Sequence, residues 1–174
     1  LAGWRFASNR RRFAMAWGLV AFLFVSPLCA ASMALFSARV GQHILLTLVA
    51  APLLAAAMPV LRWPSLPFAI LFAALFWTWH APGPYRATLE NDFVYWAMHV
   101  SLFVSATVLF ATMRTRPERA LNAAALTGAQ MTTYATLLTL APSAWHDWHL
   151  VTTPPYGLSA LGDQQFAGAL MWVA

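Results

Sequence analysis

A chain of 174 residues with 61% hydrophobic and only 9% charged residues cannot cover a water-exposed surface, because soluble domains carry roughly 25% charged residues. The net charge of +5 comes from arginines that flank apolar runs, so it indicates membrane topology and excludes a nucleic-acid partner as its main explanation. The single cysteine, Cys29, excludes an internal disulfide framework.

Apolar runs recur along the chain, each about long enough to cross a hydrocarbon core of ~30 Å. They predict an all-α, polytopic transmembrane helix bundle that forms a single integral-membrane domain over residues 1–174. The chain begins at Leu1 and stops at Ala174 inside an apolar run, so we expect a longer parent protein. Six spans are predicted, the last of them partial: 13–35, 40–61, 63–79, 93–113, 120–145 and 163–174.

In the first three spans, arginine and proline residues indicate where the helices begin and where one is irregular. Three consecutive arginines precede the first span, and Pro52 lies in the middle of the second. The third begins with prolines, which the first turn of a helix tolerates, and ends on His80. We expect the residues that follow, Pro82-Gly83-Pro84, to form a turn that holds the next loop close to the bundle.

The last three spans differ in polarity. His99 lies about two turns into the fourth span, and the fifth begins with the small-residue stretch "ALNAAALTGAQ", which allows close helix packing. Asp163-Gln164-Gln165 opens the sixth. Asp163 suits a helix N-terminus, where a carboxylate accepts hydrogen bonds from free N–H groups.

The arginines predict an orientation. A cytoplasmic N-terminus leaves only Arg39 and Arg86 outside, and most of the acidic residues also fall outside. The remaining eight arginines lie inside: Arg5, Arg10, Arg11, Arg12, Arg62, Arg114, Arg116 and Arg119.

With this orientation all five histidines reach the outer side: His43, His80, His99, His146 and His149. Any one of them alone is explained by packing at the membrane boundary. His99 is the exception, because at ~9 Å depth an ionisable side chain usually faces the interior of a bundle and has a function.

Imidazole is a preferred ligand of copper, zinc and haem iron. We predict His43, His80 and His99 as metal ligands, with His146, His149 and Met33 as further possible ligands. Met98 adjoins His99 but points about 100° away from it on the helix. The predicted supporting residues are Gln42, Tyr95, Asp163 and Gln164, which would hydrogen-bond the ligands.

The sequence also allows other functions. His80 and His99 could ligate haem from opposite faces, as in a membrane electron carrier. The chain could also be a cofactor-free scaffold or transporter. The sequence shows no hydrolytic triad, phosphate loop or paired-carboxylate site, so we do not expect an enzyme.

Four stretches together resemble a known family: "SARVGQHILLTLVAAPLLAAAMP", "WTWHAPGPYRATLEND", "YWAMHVSLFVSATVLF" and "YGLSALGDQQFAGALMW". In this order they are similar to the CtaG-type cytochrome c oxidase assembly factors of the caa-three class. The resemblance implies a bacterial inner-membrane protein of about seven spans, which acts in respiratory-chain biogenesis. Its partner would be the catalytic subunit of the oxidase, and it would deliver copper at the outer, periplasmic face.

The resemblance also assigns residues. The family's Gln-His pair falls on Gln42 and His43, its Trp-His-x-Pro motif on Trp79, His80 and Pro82, and its mid-span histidine on His99. Its Asp-Gln-Gln motif falls on Asp163, Gln164 and Gln165.

One departure concerns the metal. The family pattern His-Met-x-Gln-His is here Arg39-Val40-Gly41-Gln42-His43. A guanidinium has no lone pair to donate and repels a cation. We therefore expect weaker copper binding than in other members, no binding, or substitution by His146 or His149.

Overall fold

A computed structural model describes residues 9–59, 61–114 and 117–174, with the backbone alone for 117–119. The described chain is helical over 84% of its length and contains no strand, which confirms the predicted all-α class. Arg5, Arg116 and the side chain of Arg119, which we assigned to the cytoplasmic side, lie outside the described residues.

The first apolar run is two helices rather than one straight span. Helix α1 (Arg10–Val25) begins where the side chain of Asn9 accepts a hydrogen bond from the backbone N–H of Arg12. It ends at Ser26, which caps α2 (Pro27–Ala34), and the two axes differ by 55°. Because proline lacks an N–H, its place at the first position of α2 stops α1 and starts a new helix.

The second run forms one continuous but irregular helix. It consists of α3 (Phe36–Ile44), a π-helical turn (Leu45–Ala50) and α4 (Ala51–Ala57). Pro52 would clash with a carbonyl one turn earlier in a regular helix, and the wider turn before it relieves this crowding.

The prolines after the third run start a helix instead of a turn. Helix α5 (Ser65–His80) ends at His80, and α6 (Pro82–Glu90) follows at an angle of 71°. Our prediction of a Pro-Gly-Pro turn was therefore wrong, because proline at the first helical position is compatible with the helix that it opens. Helix α7 (Asp92–Met113) comes next, capped by Asn91.

The last third of the chain contains one long helix, a compact connection and a shorter helix. Helix α8 spans Pro117–Leu140, followed by the single turn α9 (His149–Thr152) and a 3₁₀ turn (Pro154–Tyr156). Helix α10 spans Ala160–Val173 and packs on α8 and α3.

Two helices in the described chain are long and apolar enough to cross a membrane: Phe36–Ala57 and Asp92–Met113. The number rises to four if each bent pair, α1 with α2 and α5 with α6, makes one span. These ranges overlap the first four predicted spans, although the pair α5 with α6 continues to Glu90, beyond the predicted end at residue 79. Helices α8 and α10 correspond to the fifth and sixth, but they do not meet the same criteria, so the structure supports two to four spans and the count of six stays a prediction.

The bundle places α3–α4 and α7 side by side in the same direction. His43 of α3 contacts His99 near the start of α7, and Arg114 at the end of α7 donates a hydrogen bond to the carbonyl of Ala55 in α4. Helix α5 packs against α7 and α8, and His80 at its end reaches the ring of His43. The three helices thus bring these three histidines to one end of the bundle.

Candidate functional site

His43 is the imidazole that links the other two. It lies in the second turn of α3, just before the π-helical turn, and is 7% exposed. Its Nε2 atom is 3.3 Å from Nε2 of His99, and its ring centroid is 5.5 Å from that of His80. Close imidazole–imidazole contacts of this kind need either a shared proton or a shared cation between the nitrogens.

The backbone sets the tautomers of His80 and His99. The Nδ1 atom of His80 lies 2.7 Å from the carbonyl of Phe76, and Nδ1 of His99 lies 2.9 Å from the carbonyl of Tyr95. A carbonyl only accepts, so each Nδ1 carries the proton and each Nε2 keeps its lone pair. A metal-binding histidine is commonly oriented by such a bond from its other nitrogen.

The tautomer of His43 follows from that of His99. Because Nε2 of His99 is an acceptor, Nε2 of His43 donates the hydrogen bond between them when no cation is bound. Its Nδ1 is then an acceptor, and this buried atom has no hydrogen-bond partner. Buried polar atoms are rarely left without a partner, so this one marks a place where a ligand fits.

Within the described residues, no three or more histidine, cysteine, aspartate or glutamate side chains are arranged to hold a metal ion. His43, His80 and His99 are neighbours but do not by themselves form a complete coordination shell. A metal in this region would need additional donors of another kind.

Arg39 lies inside α3 and not in the outer loop where we expected it. The side chain is 1% exposed, donates hydrogen bonds to the carbonyl of Ser32 and to Thr88, and packs over the rings of Tyr85 and Tyr95. In the described part of the chain it has no acidic partner. Arg39 is therefore a buried positive charge one turn before His43.

Met33 contacts Arg39. Its sulfur accepts a hydrogen bond from Nη2 of Arg39 at 2.9 Å. One of the two lone pairs of the sulfur is thus engaged by Arg39, and the ligand role of Met33 stays a prediction.

His146 and His149 pack around Tyr85 and Phe36, apart from the contact between His43 and His99. Nε2 of His149 accepts a hydrogen bond from the Tyr85 hydroxyl at 2.7 Å, since its Nδ1 donates to the carbonyl of Ala34. Burial lowers the pKa of His149, and the neighbouring carbonyl acts in the opposite direction.

His146 is 5% exposed, and both of its ring nitrogens lack a hydrogen-bond partner. Burial first, and then the nearby His149, lower its pKa to about 3. It is therefore neutral at physiological pH. It borders an open pocket of about 190 Å³ together with Tyr85, Arg86 and Asp147.

The predicted supporting residues hold helices rather than imidazoles. The Asp163 carboxylate accepts hydrogen bonds from the backbone N–H groups of Phe36 and Ser37, the former at 2.6 Å, and from the Ser37 hydroxyl. It thus caps α3, a different helix from its own, whose cap is Ser159.

The other three make similar structural contacts. Gln42 donates to the carbonyl of Leu23, and Gln164 accepts from the N–H of Trp145 after the end of α8. The Tyr95 hydroxyl lies 3.5 Å from the Cys29 sulfur. Tyr95 is the one of the four that also contacts a histidine: its backbone carbonyl accepts from Nδ1 of His99, and its ring lies 4.2 Å from the His99 ring, centroid to centroid.

Two methionines near the imidazoles were not predicted. Met131 of α8 and Met171 of α10 line the same small cavity as His43 and His80. Neither belongs to a sequence motif. Both have the sequence surroundings of ordinary core residues, so nothing in the sequence marks them as candidate ligands.

His99 also borders a larger apolar cavity of about 360 Å³ beside α1 and α7. Aromatic side chains form much of its wall, among them Trp17, Phe24, Trp96 and Phe103.

Comparison with protein-family models gives one family, described as the cytochrome c oxidase caa3 assembly factor, over residues 2–68 and 65–174. The chain belongs to this family. The two matched segments include every histidine and confirm the resemblance seen in the four sequence stretches. No curated protein and no solved structure matches the chain. As a caa3 assembly factor with membrane-length helices, it is a membrane protein of oxidase biogenesis.

Proposed function

We propose that this caa3 assembly factor presents copper to the catalytic subunit of the oxidase at the outer face of the bacterial inner membrane. Copper is its cargo, and the protein does not catalyse a reaction. The imidazoles of His43, His80 and His99 form the copper-binding face. The observation that carries the proposal is the 3.3 Å separation of Nε2 in His43 and Nε2 in His99.

That distance suits a shared metal ion. Two nitrogens bound to one tetrahedral ion at ~2.0–2.1 Å lie roughly 3.3 Å apart. The lone pair on Nε2 of His99 is available because the Nδ1 proton is engaged by the carbonyl of Tyr95. Neutral imidazoles suit a cargo that must leave again, since they bind copper without the strong electrostatic hold of carboxylates or thiolates.

The outer location is supported by the distribution of charge. Arg114 follows the end of α7 whose beginning carries His99, and the three arginines start α1, whose last turn reaches His99 through Phe24. By the positive-inside rule these ends are cytoplasmic, so the histidines face outward. Arg39 no longer counts in this argument, because it is buried within a helix.

Haem is the alternative cargo or cofactor. A haem ligated by His80 and His99 would need a flat space between their rings. The ring of His43 contacts both, with centroids 5.5 Å and 5.0 Å away, so a macrocycle would have to displace it. Copper is therefore the better fit.

The test is an anaerobic titration of the detergent-purified protein with Cu(I) against a competing chelator, with an absorption scan for a Soret band. We expect stoichiometric Cu(I) binding and no Soret band. His43→Gln and His99→Gln should each weaken binding, whereas His149→Gln, which changes another buried histidine, should leave it nearly unchanged.

A cellular assay tests the assembly role. Deletion of the gene should lower the copper content and activity of the oxidase, and the His43→Gln variant should fail to restore them. Normal oxidase in the deletion strain would refute the proposal. Restoration by the His43→Gln variant would favour a scaffold that holds the subunit without copper.

A further inference from the structure

A small internal cavity lies beside His43 on the side of α5, α8 and α10. His43 and His80 line it together with Met131 and Met171, and Phe72 and Leu102 form part of its apolar wall. Its volume is about 20 Å³. A single water requires roughly 10–15 Å³ by the same measure, so the cavity has room for one ion or one water and excludes an organic ligand.

The donors around the cavity are of one chemical type. Two are imidazoles and two are thioethers, and neither a carboxylate nor a thiolate is among the lining side chains. The Thr47 hydroxyl also lines it but already donates to the carbonyl of His43 at 2.7 Å. Soft, neutral donors select Cu(I), whereas Mg²⁺, Ca²⁺ and Mn²⁺ prefer oxygen ligands.

The charges around the cavity also favour Cu(I). None of the four donors carries a negative charge, and Arg39 adds a buried positive charge one turn away. The desolvation cost of a buried ion rises steeply with its charge. A monovalent ion is therefore favoured over a divalent one.

Lone pairs are available on both imidazoles. Nε2 of His80 keeps its lone pair because Nδ1 donates to the carbonyl of Phe76. Nδ1 of His43 is buried without a hydrogen-bond partner. His43, one of the residues that line the cavity, thus has an unsatisfied buried nitrogen, which is the observation, independent of the methionines, that indicates a bound species.

The two methionines reach the cavity because α8 and α10 approach each other closely. A Cβ atom on Gly168 would lie 2.9 Å from the carbonyl oxygen of Ala135 and collide with the side chain of Thr139. Met131 lies one turn before Ala135 on α8, and Met171 lies one turn after Gly168 on α10. The missing side chain at 168 therefore allows the close helix approach that brings both methionines to the wall of the cavity.

We propose that Met131 and Met171 supply thioether ligands to a single Cu(I) ion in this cavity, alongside the imidazoles of His43 and His80. The proposal rests on the copper-presenting function above and adds a second position for the ion: His43 binds it through Nδ1 while its Nε2 donates to His99, an alternative to the position in which Nε2 of His43 shares the ion with His99. It also explains why this chain can bind copper with Arg39 and Val40 at the positions where the family pattern has histidine and methionine.

The test uses leucine, which preserves the approximate volume of methionine and removes the sulfur. The full chain is purified in detergent as wild type, Met131→Leu, Met171→Leu, the double variant and a control. The control is Met98→Leu, a fully buried methionine of α7 that does not line the cavity. Circular dichroism checks that each variant is folded.

Loss of even an outer-shell partner of a metal site costs roughly 10–100-fold in affinity, so we expect each single cavity variant to weaken Cu(I) binding at least about tenfold. The double variant should lose more, and Met98→Leu should match the wild type. X-ray absorption at the copper edge of the Cu(I)-loaded wild type should show sulfur scatterers. This measurement decides the question even if the double variant does not fold.

The outcomes separate the two proposals. Tight Cu(I) binding that depends on His43 but is unchanged in the double methionine variant, with only nitrogen scatterers, would overturn the thioether ligands and leave the copper function standing. No Cu(I) binding by the wild type would overturn both.

Discussion

The carboxylate of Asp163 should be a main support of the histidine-bearing end of the bundle. It is fully buried and accepts hydrogen bonds from two backbone N–H groups at the start of α3 and from the Ser37 hydroxyl. The Asp163→Ala variant would leave these donors buried without an acceptor. Because α3 carries His43, the loss would affect the frame of the proposed site.

The size of the effect follows from the contacts. Hydrogen bonds to a charged group contribute about 1.5–3 kcal/mol each and are not additive, and an N-cap contributes about 1 kcal/mol. Asp163→Ala should therefore lower the free energy of unfolding by about 3 kcal/mol. Asp163→Asn keeps an acceptor oxygen but loses the charge, and should cost about 1 kcal/mol.

The assay is reversible unfolding in mixed detergent micelles, followed by tryptophan fluorescence. Asp92→Asn is the matched control, because Asp92 is an exposed carboxylate in the first turn of α7. Its loss should cost no more than about 1 kcal/mol. If Asp163→Ala is as stable as Asp92→Asn, the capping interaction does not stabilise the bundle and the reasoning is refuted.

Three further predictions concern other parts of the bundle. Gly168→Ala should destabilise the fold by about 1–3 kcal/mol, because its Cβ would collide with Thr139. Gly128→Ala, on the open face of α8, should not destabilise it. Equal thermal stability of the two variants would contradict the close approach of α8 and α10. Burial holds the pKa of His146 at about 3, below an unfolded value of ~6.5, so only the unfolded state gains a proton between these values. As the pH is lowered below about 6.5, the free energy of unfolding should decrease by up to about 1.4 kcal/mol per pH unit. A plot of this free energy against pH should be flatter for His146→Phe than for the wild type. Parallel plots would show that another group is responsible. Replacing the buried charge in Arg39→Gln should tighten Cu(I) binding roughly tenfold, if the charge lies ~10 Å from the ion at an effective dielectric of ~20; unchanged affinity in the chelator titration would mean that the charge is screened.

Much of the fold could be predicted because the signals are local. Apolar runs predicted the helical class, and four sequence stretches in the same order as in the family predicted the family. The positions of His43, His80 and His99 near helix ends could also be read from the runs. Their contact could not, because it depends on the rotation of α3, α5 and α7 about their axes, and the helices are apolar on nearly every face.

The supporting residues show a second limit. Asp163 lies in the first turn of α10, where a capping carboxylate is expected, but it caps α3 instead. Met131 and Met171 look like any buried methionine until the close approach at Gly168 is known. In each case the partner is far away in sequence, so only packing identifies it.

The π-helical turn at Leu45–Ala50 has a consequence for sequence change in this chain. Such a turn holds one residue more than the α-helical path would, and one residue corresponds to a rotation of about 100°. Deleting a single residue between 45 and 50 should therefore restore a regular helix while α4 keeps its orientation relative to α3. Deleting a residue from a regular part of the same helix, such as the start of α4, would instead rotate the buried residues Ala55 and Ala57 by about 100° and remove them from their neighbours, so the π-helical turn is where this helix can absorb a change of length.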